Sequence, residues 1–300
     1  PVPLNKLTPA QARKRPGPPD AVKAVLKKQN KPTTPEAVAK VENITVPGPA
    51  GTIPVRVYTP EGTGPFPVLV YFHGGGWVIA SIQAYDSSCR ALANAAKCVV
   101  VSVGYRQAPE HRFPAAHEDS YAATQYVMNN TARFGGDPKR VAVGGESAGG
   151  NLAGAVCLMA KQRGGKMPIY QMSVYPIANY NLNSPSYREN ASAIPLSKPL
   201  MAWFYRYALR SPQDGRSPLI SLVRANVRGL PPATVITAQI DPLRSEGKQY
   251  ADRLKAAGIP VRYRNYQGVS HEFFGMAAVV DEAKDANQFA AQGLQSAFRR

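Results

Sequence analysis

The sequence predicts an α/β fold in which helices cover both faces of a mostly parallel sheet. Short runs rich in β-branched and aromatic residues alternate with stretches of helical length, the pattern of β-α-β units. The chain has 300 residues, of which 44% are hydrophobic. A chain of this length buries about three quarters of the surface that its unfolded form exposes, so a large core is available. The first two runs lack an intervening helix, so we expect an antiparallel hairpin at the start of the sheet.

The segments with the composition of strands indicate how many strands the sheet has. They form eight short runs, so we expect about eight strands. The runs cover residues 41–46, 53–58, 67–72, 98–103, 140–144, 169–174, 233–238 and 261–266. Stretches of helical length cover residues 20–29, 86–97, 117–130, 148–162, 243–258 and 279–298.

Two regions do not fit this alternation of strands and helices. Residues 1 to about 38 are rich in proline, lysine and small polar residues and cannot form a core alone, so they are either a tail or part of a lid. The connection over 175–232 is too long for a simple crossover and contains the apolar, aromatic segment 201–207. This segment predicts a second lid element or an ordinary packing helix.

The chain is strongly basic, with a formal net charge of +17. Such an excess attracts nucleic acid or anionic surfaces. The basic residues are scattered, however, and no motif of a nucleic-acid module accompanies them, so we do not expect nucleic acid as a partner.

No apolar stretch approaches the roughly 20 residues that span a bilayer, so we expect no membrane span.

The cysteines Cys89, Cys98 and Cys157 cannot all pair, and they lack metal-ligand spacing. Their apolar or small neighbours favour buried free thiols, although a Cys89–Cys98 disulfide remains possible if the protein is exported.

The sequence starts at Pro1 without a methionine, which fits either methionine removal or a mature exported chain. The compartment is thus open between cytoplasm and export, and the basic charge and the missing methionine favour export.

Ser147 is the candidate nucleophile. It is at the centre of Gly-Glu-Ser-Ala-Gly (145–149), after the apolar run 141–143 and before the helical stretch 151–162. This placement predicts a sharp turn from strand to helix, and small flanking residues avoid collisions with the adjoining strand and helix. The pentapeptide alone is as typical of a tight turn as of a nucleophile, so the surrounding motifs decide its role.

A glycine-rich loop supplies the candidate oxyanion hole. The apolar run 67–72 ends in His73-Gly-Gly-Gly-Trp77. Acyl transfer passes through a tetrahedral oxyanion, which backbone N–H groups already in position stabilise. We assign Gly75, Gly76 and Ala148 as the donors. A flexible connector is the alternative, and it is less consistent with a position directly after a strand.

His271 and Asp241 are the candidate partners of the serine, which needs a base and an acid that orients the base. His271 follows the last predicted strand, so it can meet the serine loop at the carboxyl edge of the sheet. Asp241 follows the strand 233–238, although Asp-Pro is also a common helix start. The remaining histidines belong to the glycine loop or lie at a helix start, and they are His73, His111 and His117.

Together these motifs resemble the hormone-sensitive-lipase family of α/β hydrolases, whose bacterial members (family IV) are esterases. The resemblance extends over most of residues 65–275. It is carried by His73-Gly-Gly-Gly-Trp77, Tyr105-Arg-Gln-Ala-Pro-Glu110, Phe113-Pro-Ala-Ala116 with Glu118-Asp119, Gly145-Glu-Ser-Ala-Gly-Gly150, Asp241-Pro-Leu243 and His271.

The resemblance implies an α/β-hydrolase fold, a triad of Ser147, His271 and Asp241, and an oxyanion hole from the amides of Gly75, Gly76 and Ala148. It also implies a helical cap. On this pattern we expect residues 1–40 to be an N-terminal cap segment and residues 41–300 to be the catalytic domain. Residues 180–230 within that domain contribute the rest of the cap.

Three positions depart from the pattern of this family. Glu146 stands where aspartate is usual, which keeps the charge and lengthens the side chain. Ser245 stands where a second acid is frequent. Glu272 replaces a glycine after the histidine, where it can alter access or add a negative charge. None of the three removes the triad. The polar side chains of 105–110 are expected to brace the loops behind the glycine run.

The resemblance implies hydrolysis of short-acyl carboxylic esters through an acyl-serine intermediate, with amide or peptide cleavage as the alternative. Trp77, Trp203 and Phe204 are expected to line an apolar pocket. The presence of both Ser147 and His271 disfavours a non-catalytic binding protein of the same fold. A basic surface-binding protein is a further alternative, which salt-dependent binding would reveal.

Cofactor chemistry has no support in the sequence. Nucleotide-binding glycine motifs and paired-histidine metal spacing are both missing, so we expect neither a cofactor nor a metal. The expected partner is a small-molecule ester, and the chain is expected to be a monomer or a homodimer.

Overall fold

The strands and helices lie where the composition of the chain predicts them. The computed structural model describes residues 2–299. Its strands are β1 (Lys40–Gly48), β2 (Gly51–Thr59), β3 (Phe66–Phe72), β4 (Val99–Val103), β5 (Gly136–Glu146), β6 (Gln171–Val174), β7 (Ala233–Ile240) and β8 (Val261–Ser270). Its helices are α1 (Pro9–Ala12), α2 (Pro18–Lys28), α3 (Asp86–Ala96), α4 (Ala115–Asn129), α5 (Ala148–Arg163), α6 (Pro185–Glu189), α7 (Lys198–Ala208), α8 (Pro212–Gly215), α9 (Arg244–Ala256) and α10 (Asp281–Phe298).

The strands form one sheet of eight in the order β1-β2-β4-β3-β5-β6-β7-β8. β1 and β2 pair antiparallel, with Gly48 opposite Gly51 at the turn, and β2 pairs antiparallel with β4. The other neighbours are parallel. The predicted α/β fold, with a mostly parallel sheet and a hairpin at its start, is therefore confirmed.

Strand β3 illustrates why the central strands are continuously apolar. Val68, Val70 and Phe72 belong to the core beneath α4, α5 and α9, whereas Leu69 and Tyr71 belong to the core beneath α3 and α10. All five side chains are fully buried. Successive side chains of a strand point to opposite faces, and helices cover both faces here, so every position is apolar.

Two segments contribute to a cavity at the carboxyl edge of the sheet. The N-terminal segment (residues 2–39) contains α1 and α2, and the connecting segment (175–232) contains α6, α7 and α8. Together with residues that follow β5 and β8, both segments line a cavity of about 810 Å³. Within residues 2–299, no helix has the length and apolar character that crossing a membrane requires.

Candidate active site

Ser147 lies on a sharp turn between β5 and α5, as its flanking sequence predicts. Its backbone has φ 59° and ψ −117°, which is strained for a residue with a side chain. The amide of Ser147 donates to the Val174 carbonyl at 2.9 Å, and the Ser147 carbonyl accepts from the Asn151 amide at 3.1 Å. Gly149 passes so close to the Phe72 carbonyl that a Cβ atom would overlap with it. Glycine is therefore a steric requirement at position 149.

Ser147, His271 and Asp241 meet at the carboxyl edge of the sheet, after β5, β8 and β7. His271 Nε2 lies 2.9 Å from Ser147 Oγ, and His271 Nδ1 lies 2.7 Å from Asp241 Oδ2. The three residues are 4%, 3% and 0% exposed, in the order Ser147, His271, Asp241. An imidazole between a hydroxyl and a carboxylate can take a proton from the hydroxyl while the carboxylate stabilises the resulting imidazolium.

The electrostatic surroundings of His271 favour its charged form. Burial lowers its pKa, but the negative charge of Asp241 and the hydrogen bond to it outweigh burial, and Glu272 and Glu146 add to the effect. The net result is a pKa raised above the ordinary value of 6.5. The imidazole is thus a stronger base than a histidine in water.

A pair of serines holds the loop that carries Asp241. Ser186 Oγ accepts from the Ser245 amide at 3.0 Å and donates to the Pro242 carbonyl at 2.6 Å. Ser245 Oγ accepts in turn from the Ser186 amide at 3.1 Å. Ser245, which stands where a second acid is frequent, therefore ties this loop to α6 of the connecting segment. Asp241 is not the N-cap residue of α9, which is Leu243.

The glycine loop after β3 lines the same cavity as Ser147. Gly76 has φ 58°, and a Cβ atom at this position would overlap with the ring of Phe204. In the part of the chain that the structure describes, the amides of Gly75, Gly76 and Ala148 donate to no protein acceptor. Unpaired amides of this kind are available to a negatively charged oxygen.

The segment after β4 braces the glycine loop from behind, which confirms the role predicted for residues 105–110. Tyr105 stacks on His73 with ring centroids 4.4 Å apart, and its hydroxyl donates to the His73 carbonyl at 2.7 Å. Gln107 donates to the Ile79 carbonyl at 2.7 Å. Burial lowers the pKa of His73 to about 4, so this histidine is neutral and structural.

Glu146, directly before the serine, is fully buried at the end of β5. The hydroxyl groups of Tyr71 and Tyr175 each donate to one of its carboxylate oxygens. Burial raises the pKa of Glu146 to about 7, and the charge of Glu272 acts in the same direction. The longer side chain at this position is therefore accommodated by two tyrosines rather than by a basic residue.

Glu272, directly after the histidine, lines the same cavity. Its Oε1 lies 3.6 Å from His271 Nε2, and the Tyr85 hydroxyl donates to both of its oxygens at 2.8 Å. Burial is the largest influence and raises the pKa of Glu272, whereas the positive charge of protonated His271 and the Tyr85 hydroxyl lower it; the net pKa is raised above the ordinary value. The side chain thus places a carboxyl group beside His271.

The aromatic residues expected around the pocket divide into two groups. Phe204 lines the cavity beside Gly76. Trp77 and Trp203 do not line it, because both are buried behind its wall. Trp77 lies against His117, with ring centroids 5.9 Å apart, and Trp203 packs against Phe204 at 5.4 Å. Their large apolar area is used in packing, which the sequence pattern alone does not distinguish from pocket lining.

His117 and the cysteine residues considered as candidates lie in buried environments that serve the structure. Burial lowers the pKa of His117 to about 4, and its Nε2 lies 3.0 Å from Asn151 Oδ1. Cys89, Cys98 and Cys157 are buried and free, so the possible disulfide between the first two is not formed. Residues 2–299 contain no cluster of three or more His, Cys, Asp or Glu side chains that could hold a metal ion.

A mostly parallel sheet with a serine on the turn after its fifth strand, followed in the chain by an aspartate and a histidine, is the architecture of an α/β hydrolase. Residues 69–275 match the family model described as the alpha/beta hydrolase fold. The chain belongs to this family, in its hormone-sensitive-lipase-like group.

Individual relatives agree with this assignment. The chain is 40% identical over 249 residues to the carboxylic ester hydrolase LipN of Mycobacterium tuberculosis, covering 81% of this chain and 66% of LipN. It is 39% identical over 251 residues to the carboxylesterase NlhH of the same species, covering 82% of this chain and 79% of NlhH. The solved structure of an esterase from Pyrobaculum calidifontis superposes with a TM-score of 0.90 at 40% identity, covering 97% of this chain and 94% of that one.

Proposed function

We propose that the chain is a serine carboxylesterase that hydrolyses esters with short acyl groups. The observation that carries this proposal is the continuous hydrogen-bonded path from Ser147 Oγ through His271 to Asp241, with distances of 2.9 and 2.7 Å, facing a cavity. Relatives named carboxylic ester hydrolase and carboxylesterase support it.

In the proposed reaction, His271 Nε2 takes the proton of Ser147 as the serine oxygen attacks the ester carbonyl. The carbonyl oxygen becomes an oxyanion, which the amides of Gly75, Gly76 and Ala148 would bind. Asp241 stabilises the imidazolium and keeps its orientation. The imidazolium then gives its proton to the leaving alcohol, and the acyl group stays on the serine.

Deacylation repeats these steps with water in place of the serine. His271 removes a proton from the water, which attacks the acyl-serine carbonyl. The same amides stabilise the second oxyanion, and the proton returns to Ser147 as the acid leaves. Each catalytic group is thus used twice in one turnover.

We further propose that residues 1–40 and 180–230 form a cap over this site and that the rest of 41–300 is the catalytic domain. Both regions contribute lining residues to the cavity that contains Ser147, among them Leu4, Pro16 and Leu196. Phe204 of α7 closes the cavity next to the glycine loop. Because Phe204 limits the space beside the glycine loop, it supports a preference for short acyl groups.

A series of p-nitrophenyl esters of increasing acyl length, assayed beside the p-nitroanilide of the best acyl group, tests the proposal. We expect kcat/KM to be highest for short esters and the anilide to react far more slowly. Ser147→Ala should lower ester turnover by about 10⁶-fold, as loss of the nucleophile does in triad enzymes. Comparable rates for anilide and ester would indicate an amidase or peptidase, and ordinary activity in Ser147→Ala would reject the mechanism.

A further inference from the structure

Glu272 lines the same cavity as Ser147 and His271 and does not belong to the catalytic path described above. Its Oε1 lies 3.6 Å from His271 Nε2, the nitrogen that is also 2.9 Å from Ser147 Oγ. The side chain is 16% exposed, so the carboxylate is largely desolvated yet open to the cavity. A group of the substrate can therefore reach it.

Among residues 2–299, no arginine or lysine lies within ion-pair distance of the Glu272 carboxylate. Among the ion pairs of residues 2–299, the basic group within reach of Glu272 is His271, which is neutral when it acts as a base. Its hydrogen bonds come from Tyr85, and burial together with the charge of Glu272 raises the pKa of that phenol, which stays uncharged. Glu146 nearby is likewise held by tyrosines. A desolvated carboxylate without a cation is costly and favours binding one.

The backbone at Glu272 also carries strain. Its φ is 69° and its ψ is 4°, the left-handed region that glycine adopts freely and that costs a residue with a Cβ atom about 1 kcal/mol or more. A glycine here would avoid both this strain and the buried charge. Strain and charge at one position of the cavity together indicate a functional side chain.

The position of Glu272 relative to His271 identifies the part of the substrate that it meets. His271 Nε2 delivers its proton to the leaving alcohol, whose oxygen must then lie about 3 Å from Nε2. Glu272 Oε1 is 3.6 Å from the same nitrogen. Substituents on the first carbons of the alcohol thus lie beside Glu272. Tyr85 and Met276 line the same cavity, and the face of an aromatic ring such as that of Tyr85 attracts a cation.

We propose that Glu272 is a specificity residue that binds a cationic group on the alcohol part of the ester, so that esters of short amino alcohols are preferred substrates. The inference depends on the esterase function proposed above. It adds the chemical class of the leaving group, which the triad itself does not determine.

The test uses two acetate esters of the same shape and different charge. One is acetylcholine, and the other is its carbon isostere, in which a tert-butyl group replaces the trimethylammonium group. We expect the full-length enzyme to have a kcat/KM about tenfold or more higher for the cationic ester, because a close charge pair in a desolvated site contributes at least this much. Glu272→Gln should abolish the preference while the neutral ester is still hydrolysed.

Two further variants make the result independent of folding and of overall charge. Glu272→Gly relieves the backbone strain, so it should fold well and lose the preference to the same extent. Glu282→Gln changes the net charge equally at an exposed position in the first turn of α10 and should keep the preference.

The outcomes distinguish this inference from the esterase function. If wild type and Glu272→Gln show the same ratio between the two esters, Glu272 does not recognise a cation and the inference is wrong. If the substitution lowers both rates equally, Glu272 acts through His271 instead, which also overturns it. An enzyme inactive on both esters and on p-nitrophenyl acetate overturns the esterase function and this inference with it.

Discussion

The indole N–H of Trp203 donates to the main-chain carbonyl of Leu7 at 3.0 Å, a hydrogen bond between residues 196 positions apart. It joins α7 of the connecting segment to the N-terminal segment. A second attachment is made by Arg13, whose guanidinium donates to the carbonyls of Val78 and Ala108 at 2.8 and 2.7 Å and pairs with Glu110. The N-terminal segment is thereby fastened to the connecting segment and to the surroundings of the glycine loop.

Trp203→Phe should loosen the N-terminal segment. The substitution keeps most of the aromatic packing and removes one hydrogen bond, which costs about 1 kcal/mol. We expect faster hydrogen exchange in residues 2–12, measured by mass spectrometry, and a severalfold higher KM with little change in kcat.

Trp77→Phe provides the matched control for this experiment. The indole N–H of Trp77 is buried and has no hydrogen-bond partner in the described part of the chain. Its removal should therefore leave exchange in residues 2–12 unchanged. Equal exchange in wild type and Trp203→Phe would show that the hydrogen bond to Leu7 does not hold the segment.

The pH dependence of kcat/KM should show an acid limb above the ordinary range of histidine. His271 accepts a proton only when neutral, and its pKa is raised above 6.5. Activity should therefore fall as the pH drops through a value higher than 6.5. Asp241→Asn removes the main charge that raises this pKa, so the limb should move to lower pH while the rate falls by about 10⁴-fold. An acid limb that Asp241→Asn leaves in place would argue against His271 as the titrating base.

Gly76→Ala should impair catalysis through the glycine loop. Its Cβ atom would overlap with Phe204, and the loop must shift to relieve the overlap. A misplaced oxyanion donor lowers kcat by about 10²-fold. The double variant Gly76→Ala with Phe204→Ala should recover part of the loss, since the obstacle is then removed.

Gly164→Ala is the control for backbone strain in that experiment. Gly164 also has a positive φ, 65°, but a Cβ atom there meets nothing within 4 Å. It should destabilise the protein by about 1 kcal/mol and leave kcat unchanged. If both glycine variants keep full activity, the position of the loop is not critical for the reaction.

Glu146 should make stability depend on pH in a direction unusual for a carboxyl group. Its pKa is raised by burial from 4.5 to about 7 in the folded chain. Between these values the folded state holds a proton that the unfolded state has lost. The stabilising contribution of this group is therefore fully present below 4.5 and is lost as the pH rises through about 7.

Glu146→Gln tests this linkage, because glutamine does not titrate. The free energy of unfolding of wild type relative to the variant should decline by a few kcal/mol, on the order of what such a pKa difference implies, between acidic and neutral pH. Urea denaturation over a series of pH values measures it. A difference that stays constant across this range would show that Glu146 is ionised in the folded state.

Much of the fold could be predicted from composition alone. The strands are short runs bounded by turn residues, and β3 and residues 141–143 of β5 are apolar because helices cover both of their faces. The order Ser147, Asp241, His271 followed from their positions after strands, where parallel sheets gather functional groups. These predictions use only residues that lie close together in the sequence.

The remaining features depend on contacts between residues that are close in space but far apart in the chain. The spacing of motifs in the sequence does not reveal such contacts. The reciprocal hydrogen bonds of Ser186 and Ser245, and the contact of Tyr85 with Glu272, join residues far apart in the chain. Trp203 is apolar enough for a pocket, yet its indole N–H finds a partner behind the wall. Whether Trp203 lines the pocket or lies behind its wall depends on how α7 packs on the N-terminal segment.

Ser147 and His271 are 124 positions apart in the chain, and this separation has a consequence for how the protein folds. The two side chains meet only after β5, β6, β7 and β8 have aligned in register, since they leave from strands at different positions in the sheet. A partly assembled chain would already contain helices and most strands yet turn over no ester. Recovery of activity after dilution from denaturant should therefore lag behind recovery of circular dichroism and mark the last stage of refolding.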